Sequence, residues 1–237
     1  MQLFYTSDIR GNLAHLSETE SRHCIQVLRH QQGDRLHFVD GRGGFYEGEI
    51  IEAHKKNCVL SILYHTPSYK VKPFRLHIGI APTKSIDRFE WFLEKATEIG
   101  IHEITPLLCK HSERKRIRLD RLEKVLLSAM KQSLQATLPK LNELTDFRKF
   151  LDTQHSSTDQ KFIAHCQSDK MSAQKENYQD GQNVTILIGP EGDFQSTEIE
   201  WAQQQQFKAI SLGSSRLRTE TAGIIACHSV NFINEYA

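Results

Sequence analysis

Two glycine-bearing segments near the carboxyl end carry the residue types best suited to chemistry. Gly189-Pro190-Glu191-Gly192 follows the apolar, β-branched run Val184 to Ile188, and Leu212-Gly213 closes Ala209 to Leu212 ahead of Leu217-Arg218-Thr219-Glu220-Thr221. Glycine tolerates dihedrals and close approaches that other residues resist, while Pro190 fixes one turn and removes a donor. Two such turns side by side can grip a flat polar ligand through main-chain N–H and C=O groups. Taken singly, each is more simply a strand cap followed by a helix start. The common nucleotide fingerprints are missing: there is no G-x-x-x-x-G-K-[ST] and no G-x-G-x-x-G after a strand, and Gly41-Arg42-Gly43-Gly44 lies inside an apparent hairpin. A phosphate-cradling NTPase or an ordinary dinucleotide enzyme is therefore disfavoured.

Turns of this kind need a sheet to hold them, and the chain supplies strand and helix patterns in alternation. Phe74, Leu76, Ile78 and Ile80 alternate as a strand; Ile86, Phe89, Phe92, Ala96 and Ile99 follow helical spacing and end at Gly100, where a left-handed cap is favoured. Ile101 to Leu107 reads as a strand, Leu122 to Met130 as a helix, Thr145 to Leu151 as a short helix and Lys161 to Ala164 as a short strand. Cys166 to Gln182 is polar and expected to be a loop. Val184 to Ile188 has the composition of a buried parallel strand. Thr197 and Glu200 have capping-box spacing for a helix through Gln206, and a last helix is expected over Thr221 to Ile233. This is the pattern of an α/β sheet with helices on both faces, whose ligands bind where strands end.

The first 70 residues have a different style. A short helix around Ser21 to Arg29 precedes strand-like segments at Leu36 to Val39, Phe45 to Ile51 and Val59 to Leu63, which suggests a small antiparallel barrel. Thr66 to Pro73 has two prolines and no periodicity, so the boundary is placed there: domains 1–70 and 71–237.

Composition removes several classes of function. Apolar runs are far shorter than a membrane span requires, and the first residues lack a basic region followed by an apolar stretch, so a cytoplasmic protein is expected. The five cysteines form no C-x-x-C pair and no zinc-like grouping with histidine, so no metal is expected and all five read as reduced, mostly buried residues. A net charge of +1 argues against indiscriminate nucleic-acid binding, yet Lys110 to Arg121 holds six basic residues against Glu113 and Asp120. Such a window is either a phosphate-binding surface or a solvated loop.

Leu187-Ile188-Gly189-Pro190-Glu191-Gly192, Leu212-Gly213 and Leu217-Arg218-Thr219-Glu220-Thr221-Ala222, in that order, resemble the signature of the RsmE family of SPOUT methyltransferases. The likeness extends to His23 to Arg29 and Asp40-Gly41 in the family's PUA-like domain, and to Lys84, Glu94 to Gly100 and Pro106-Leu107 at the start of its catalytic domain. The chain departs from the family at Lys131-Gln132-Ser133-Leu134-Gln135, where Glu-Gln-Ser or Glu-Gln-Cys followed by Gly and Arg is usual. The resemblance implies a PUA-like β-barrel, then a mostly parallel sheet closed by a deep trefoil knot, with S-adenosylmethionine as cofactor. It implies methylation of uridine N3 in 16S ribosomal RNA, within the 30S subunit, by a homodimer. It places the cofactor on Ile188, Gly189, Pro190, Glu191, Gly192, Leu212, Gly213, Leu217, Thr219 and Thr221, with His165 at the border.

Uracil N3 carries a proton that must leave, which calls for a nearby base or for a cation that stabilises the developing anion. In the loop beside the methyl group, Arg218 is expected to stabilise the anion or a phosphate and Glu220 to remove or orient the proton; Glu220 could equally complement the positive end of the final helix. For the RNA backbone the expected contacts are Arg10, Arg22, His23 and Arg29 with Lys84, Lys110, Arg114 and Arg116, although His23 could as well be a capping or partly buried residue. The competing readings are a non-catalytic RNA-binding assembly factor and a SPOUT enzyme acting on another RNA.

Overall fold

A computed structural model of the chain describes residues 1–153, 159–167 and 173–235. These fall into two compact units, Met1–Val71 with Leu127–Leu138, and Lys72–Leu126 with Pro139–Ala237.

The first unit is built on a six-stranded sheet: β1 (Leu3–Tyr5), β2 (Asp8–Arg10), β3 (Leu13–His15), β4 (Arg35–Val39), β5 (Phe45–Glu52) and β6 (Val59–Thr66), in the order β1-β4-β5-β6-β3-β2. The three strands expected from alternation are present, and three shorter ones precede them. The pairing is antiparallel except for β1 with β4, which is parallel, so the sheet is a curled half-barrel. Phe4, Leu36, Phe38, Ile50 and Leu60 fill its concave side together with Cys24 and Cys58. The helix expected over Ser21 to Arg29 begins earlier, as α1 (Glu18–Arg22), because the Ser17 hydroxyl accepts from the Glu20 N–H; it then widens into a π-helical turn over His23–Val27.

Residues 127–138, expected with the second domain, belong to the first unit. Leu127, Met130, Leu134, Ala136 and Leu138 pack with Leu3, Val39 and Phe45, burying apolar surface that would otherwise meet water. The family departure at Lys131 finds its local account here: Lys131 Nζ pairs with Glu20 Oε1 at 2.6 Å, and both side chains are largely buried.

The second unit comprises β7 (Leu76–Ile80), α2 (Ile86–Ile99), β8 (Glu103–Leu108), the start of α3 (Leu119–Gln132), β9 (Lys140–Leu141), β10 (Thr145–Asp146), α4 (Phe147–Asp152), β11 (Gln160–Ala164), α5 (Gln174–Asn177), β12 (Val184–Ile188), α6 (Ser196–Gln204), β13 (Lys208–Ile210) and α7 (Thr219–Glu235). Among the described residues its seven strands are all parallel, in the order β10-β8-β7-β12-β11-β13 with β9 beside β8. Central strands β7 and β12 are buried along their whole length, as a sheet covered on both faces requires. On one face Leu107, Ile163 and Leu187 pack against Phe147, Phe150, Ile199 and Ala202 of α4 and α6. On the other, α2 and α7 lie together: the Cα of Gly223 approaches so closely that an added Cβ would stand 2.6 Å from Phe92 and 2.8 Å from Ile80. Helix α2 ends at Gly100 in the left-handed conformation (φ 108°), as its sequence position predicts.

Two helix starts differ from expectation, and both bear on the site. The capping box of α6 is Gln195 with Glu198, not Thr197 with Glu200: Glu198 is buried, accepts from Gln195 N–H at 2.8 Å and also takes the Lys110 N–H at 2.9 Å, whereas Glu200 is exposed. Helix α7 begins at Thr219, because the Arg218 carbonyl already accepts from the Ala222 N–H at 2.8 Å. Thr219, Glu220 and Thr221 are therefore helical residues and not part of the loop.

Candidate active site

The segments that follow β12 and β13 border one cavity of about 1000 Å³ at the carboxyl ends of the parallel strands. Ile188, Gly189, Pro190 and Glu191 line one side; Leu212, Gly213, Leu217, Arg218 and Thr219 line the other. The two sides are tied where Thr219 Oγ1 donates to the Gly189 carbonyl at 3.1 Å. Gly213 holds φ 130°, a conformation that side chains rarely adopt, and the Ser211 hydroxyl bonds its carbonyl at 3.0 Å.

His165 lies at the end of β11, as the sequence placed it, and lines the same cavity. Its Nδ1 accepts from the Gln167 N–H at 3.1 Å, which assigns the ring proton to Nε2; Nε2 is buried and has no hydrogen-bond partner among the described residues. Burial pushes the imidazole pKa below its ordinary value, against the opposing charge of Asp193, so the ring is neutral at neutral pH. Asp193, which the sequence reading did not single out, joins the loops after β11 and β12: Oδ2 accepts from the Cys166 N–H at 2.9 Å and Oδ1 from the Phe194 N–H at 2.8 Å. Its non-glycine positive φ of 63°, closing a turn onto the Pro190 carbonyl, is the mark of that role and is invisible in the residue types alone.

Two predicted cofactor residues do not line this cavity. Gly192 backs onto His111, whose Nδ1 stands 3.1 Å from the Gly192 carbonyl, and Thr221 lies on the far side of the first turn of α7. Glu191 is on the wall, but its Oε1 accepts from the Lys84 N–H at 2.8 Å, so its carboxylate anchors the loop before α2.

A second cavity, of about 630 Å³, lies alongside and shares Arg216, Leu217 and Arg218 with the first. Glu220 and Thr221 line it with Asp87, Arg88 and Trp91 of α2. Glu220 is only 6% exposed, its Oε1 is 4.0 Å from Arg88 Nε, and its Oε2 has no hydrogen-bond partner among the described residues. The two predicted catalytic residues thus divide: Arg218 touches both cavities and Glu220 only the second. Arg88 and Trp91 were missed by the sequence reading. Their signal was an arginine and a tryptophan three residues apart on the otherwise polar face of a helix.

The predicted RNA contacts are distributed over both units. Arg10, Arg22 and Arg29 are exposed on the first; Arg10 pairs with Asp8 and Arg22 with Glu18. His23 is half-buried, edge-on to Phe4, with its Nε2 buried and unpartnered among the described residues. On the second unit Lys110 and Arg116 are exposed, and Lys84 pairs with Glu113 at 2.8 Å. Arg114 is different: its guanidinium donates to the Thr83 carbonyl at 3.0 Å and to the Lys84 carbonyl, so it braces the loop before α2.

Four of the five cysteines are buried, Cys166 is exposed, and all are free thiols. Among the described residues no group of three His, Cys, Asp or Glu side chains could hold a metal ion, and no helix is long and apolar enough to cross a membrane.

Residues 70–231 match the family model of the RNA methyltransferase domain, and residues 16–63 that of the RNA methyltransferase PUA domain. The ribosomal RNA small subunit methyltransferase E of Mesomycoplasma hyopneumoniae is 35% identical over 184 residues, 75% of this chain and 73% of that one. Among solved structures, a probable rRNA-methyltransferase from Porphyromonas gingivalis is 40% identical with a TM-score of 0.92, covering 100% of this chain and 99% of that one. A Legionella pneumophila protein solved in complex with the bound cofactor SAM is 25% identical with a TM-score of 0.86, covering 98% of each chain.

Proposed function

Because the chain belongs to the RNA methyltransferase family, in its small-subunit ribosomal RNA methyltransferase E branch, we propose that it transfers the methyl group of S-adenosylmethionine to N3 of a uridine in 16S ribosomal RNA. The observation that carries this reading is the cavity closed by the Thr219 to Gly189 hydrogen bond. Its walls fit the cofactor: apolar Ile188, Leu212 and Leu217 border it, the backbone is open at Gly213, and His165 Nε2–H, unpartnered among the described residues, offers a donor. The bound cofactor supplies a methyl group on a sulfonium, already activated for displacement.

What this chain must do is hold the uracil edge and remove a proton. N3–H is hidden in a Watson–Crick pair, so the target uridine is single-stranded or turned out of its helix. Arg218, on the wall of both cavities, is assigned to the negative charge that develops on the pyrimidine oxygens. Glu220, which lines the second cavity with Arg218 and has an oxygen unpartnered among the described residues, is assigned to the N3 proton.

Arg10, Arg22, His23, Arg29, Lys84, Lys110 and Arg116 are assigned to the RNA backbone, presented by a 30S subunit. The pairing of Arg10, Arg22 and Lys84 with exposed carboxylates is worth little and exchanges readily for phosphate. Arg114, held by the Thr83 and Lys84 carbonyls, braces its own loop instead. The working unit is a cytoplasmic homodimer whose contact includes the outer face of α7, where Phe232 is half exposed. The trefoil threading implied by the family is part of the same proposal.

Nucleosides of small-subunit RNA from cells lacking the gene test the reading by mass spectrometry. N3-methyluridine should be lost there and restored by the wild-type gene; retention of the modification in the deleted strain contradicts the assignment.

A further inference from the structure

The second cavity adjoins the candidate cofactor cavity, sharing Arg216, Leu217 and Arg218 with it, and its own chemistry is specific. Arg88, Glu220 and Arg218 all face it, and its rim carries Trp91, 46% exposed and three residues from Arg88 on the same side of α2. A nine-tenths buried carboxylate with an oxygen that has no hydrogen-bond partner among the described residues is costly unless a ligand completes it. Arg88 Nε, 4.0 Å from Oε1, is too distant for a full hydrogen bond and leaves room for a polar group.

We infer that this cavity seats the target base, with Trp91 as its stacking platform and the set Arg88, Glu220, Arg218 reading the uracil edge; the inference rests on the methyltransferase reading above. The Watson–Crick edge of uracil presents acceptor, donor, acceptor: O4, N3–H and O2. Two guanidinium donors with a carboxylate acceptor supply the complementary order. Cytosine presents an amino donor, a bare N3 acceptor and O2; its N3 lone pair would face the Glu220 carboxylate and its amino group an arginine. Discrimination of uridine from cytidine then arises in the same contact that takes the proton. Trp91 supplies a flat apolar face that accepts any base, so it contributes affinity without selectivity. Arg88, one of the two donors to the uracil oxygens, also stands 4.0 Å from Glu220 Oε1 and so helps to set that carboxylate against the edge it must meet.

Fluorescence of the Trp201→Phe protein isolates Trp91, because Trp201 packs away from this cavity on Arg148 and the core of the second unit. Uridine 5′-monophosphate should quench that signal saturably, and cytidine 5′-monophosphate should bind about 10-fold or more weakly. Arg88→Ala should erase the difference between the two nucleotides while leaving the heat of S-adenosylmethionine binding unchanged, which also reports that the variant is folded. In methyl transfer to small subunits from cells lacking the gene, Trp91→Ala should lower kcat/KM by about 10- to 100-fold and Trp91→Phe should recover most of it. Absent quenching, equal quenching by both nucleotides, or near wild-type kcat/KM for both Trp91→Ala and Arg88→Ala overturns the inference. A wild-type protein that binds the nucleotides selectively but methylates no uridine would instead sink the broader reading and leave the base site standing.

Discussion

Thr219 and Gly189 are 30 residues apart in sequence and are joined by one hydrogen bond, 3.1 Å from hydroxyl to carbonyl, with Thr219 buried. This bond connects the first turn of the last helix to the loop after a central strand, and the candidate cofactor cavity lies against both. Removing the hydroxyl leaves a buried carbonyl without its partner. Thr219→Val should weaken S-adenosylmethionine binding about 10-fold by calorimetry, and Thr219→Ser should retain most of the affinity.

His165 offers a donor from a ring kept neutral by burial. Its folded pKa lies below the ordinary value of 6.5, so cofactor affinity should be level above that pH and decline only on acidification, as the ring gains a charge beside a cationic ligand. His165→Ala should lower affinity about 5- to 20-fold across the level region, and calorimetry in buffers from neutral to mildly acid pH reads both effects.

At the opposite ends of the strands, burial pushes His77 down to about 4, while its Nε2 lies 2.8 Å from Thr105 Oγ1. The unfolded chain binds a proton at this residue near pH 6.5 and the folded chain does not until about pH 4, so stability is full above 6.5 and is lost as pH falls through that window. The loss is on the order of 3 kcal/mol at its limit. Glu103 adds to it at lower pH: burial works to raise its pKa, but the hydrogen bond from Asn142 and the charge of Arg75 hold it at about 2. Urea unfolding of wild type and His77→Gln between pH 7 and 4 checks this, with a flatter profile expected for the variant.

Gly223 permits the contact of α7 with α2. A methyl there meets the buried rings and methyls of Phe92 and Ile80 at under 3 Å, so Gly223→Ala should cost about 1–3 kcal/mol and lower Tm. Phe92→Leu in the same chain should return part of the loss, which thermal unfolding of the single and double variants would measure.

Much of this architecture was legible because its signals are local. Val184 to Ile188 is apolar enough to be a buried strand and nothing else of its length, and Gly100 marks the end of α2 by type and place. The short strands β1 to β3 were not legible: three residues each, with exposed Arg10 and Leu13 among them, give no alternation to read. Membership of residues 127–138 in the first unit depends on what Met130 and Ala136 meet in space, which helical periodicity cannot say. Within the candidate site, the signature motif named segments that border the two cavities but not which way their residues face. Successive residues of a helix point about 100° apart, so Thr219 and Ala222 face one cavity while Glu220 and Thr221 face the other. Arg88 and Trp91 escaped because their meaning comes from Glu220, more than a hundred residues away.

The central claim is that the loops after β12 and β13 form the cofactor clasp. A crystal structure of this protein with S-adenosylhomocysteine tests it most directly. The ligand should lie between residues 188–191 and 211–217, within hydrogen-bonding reach of His165 Nε2, while the Thr219 to Gly189 bond persists. Density for the ligand anywhere else, or a backbone in which those two loops separate when it binds, would contradict the account.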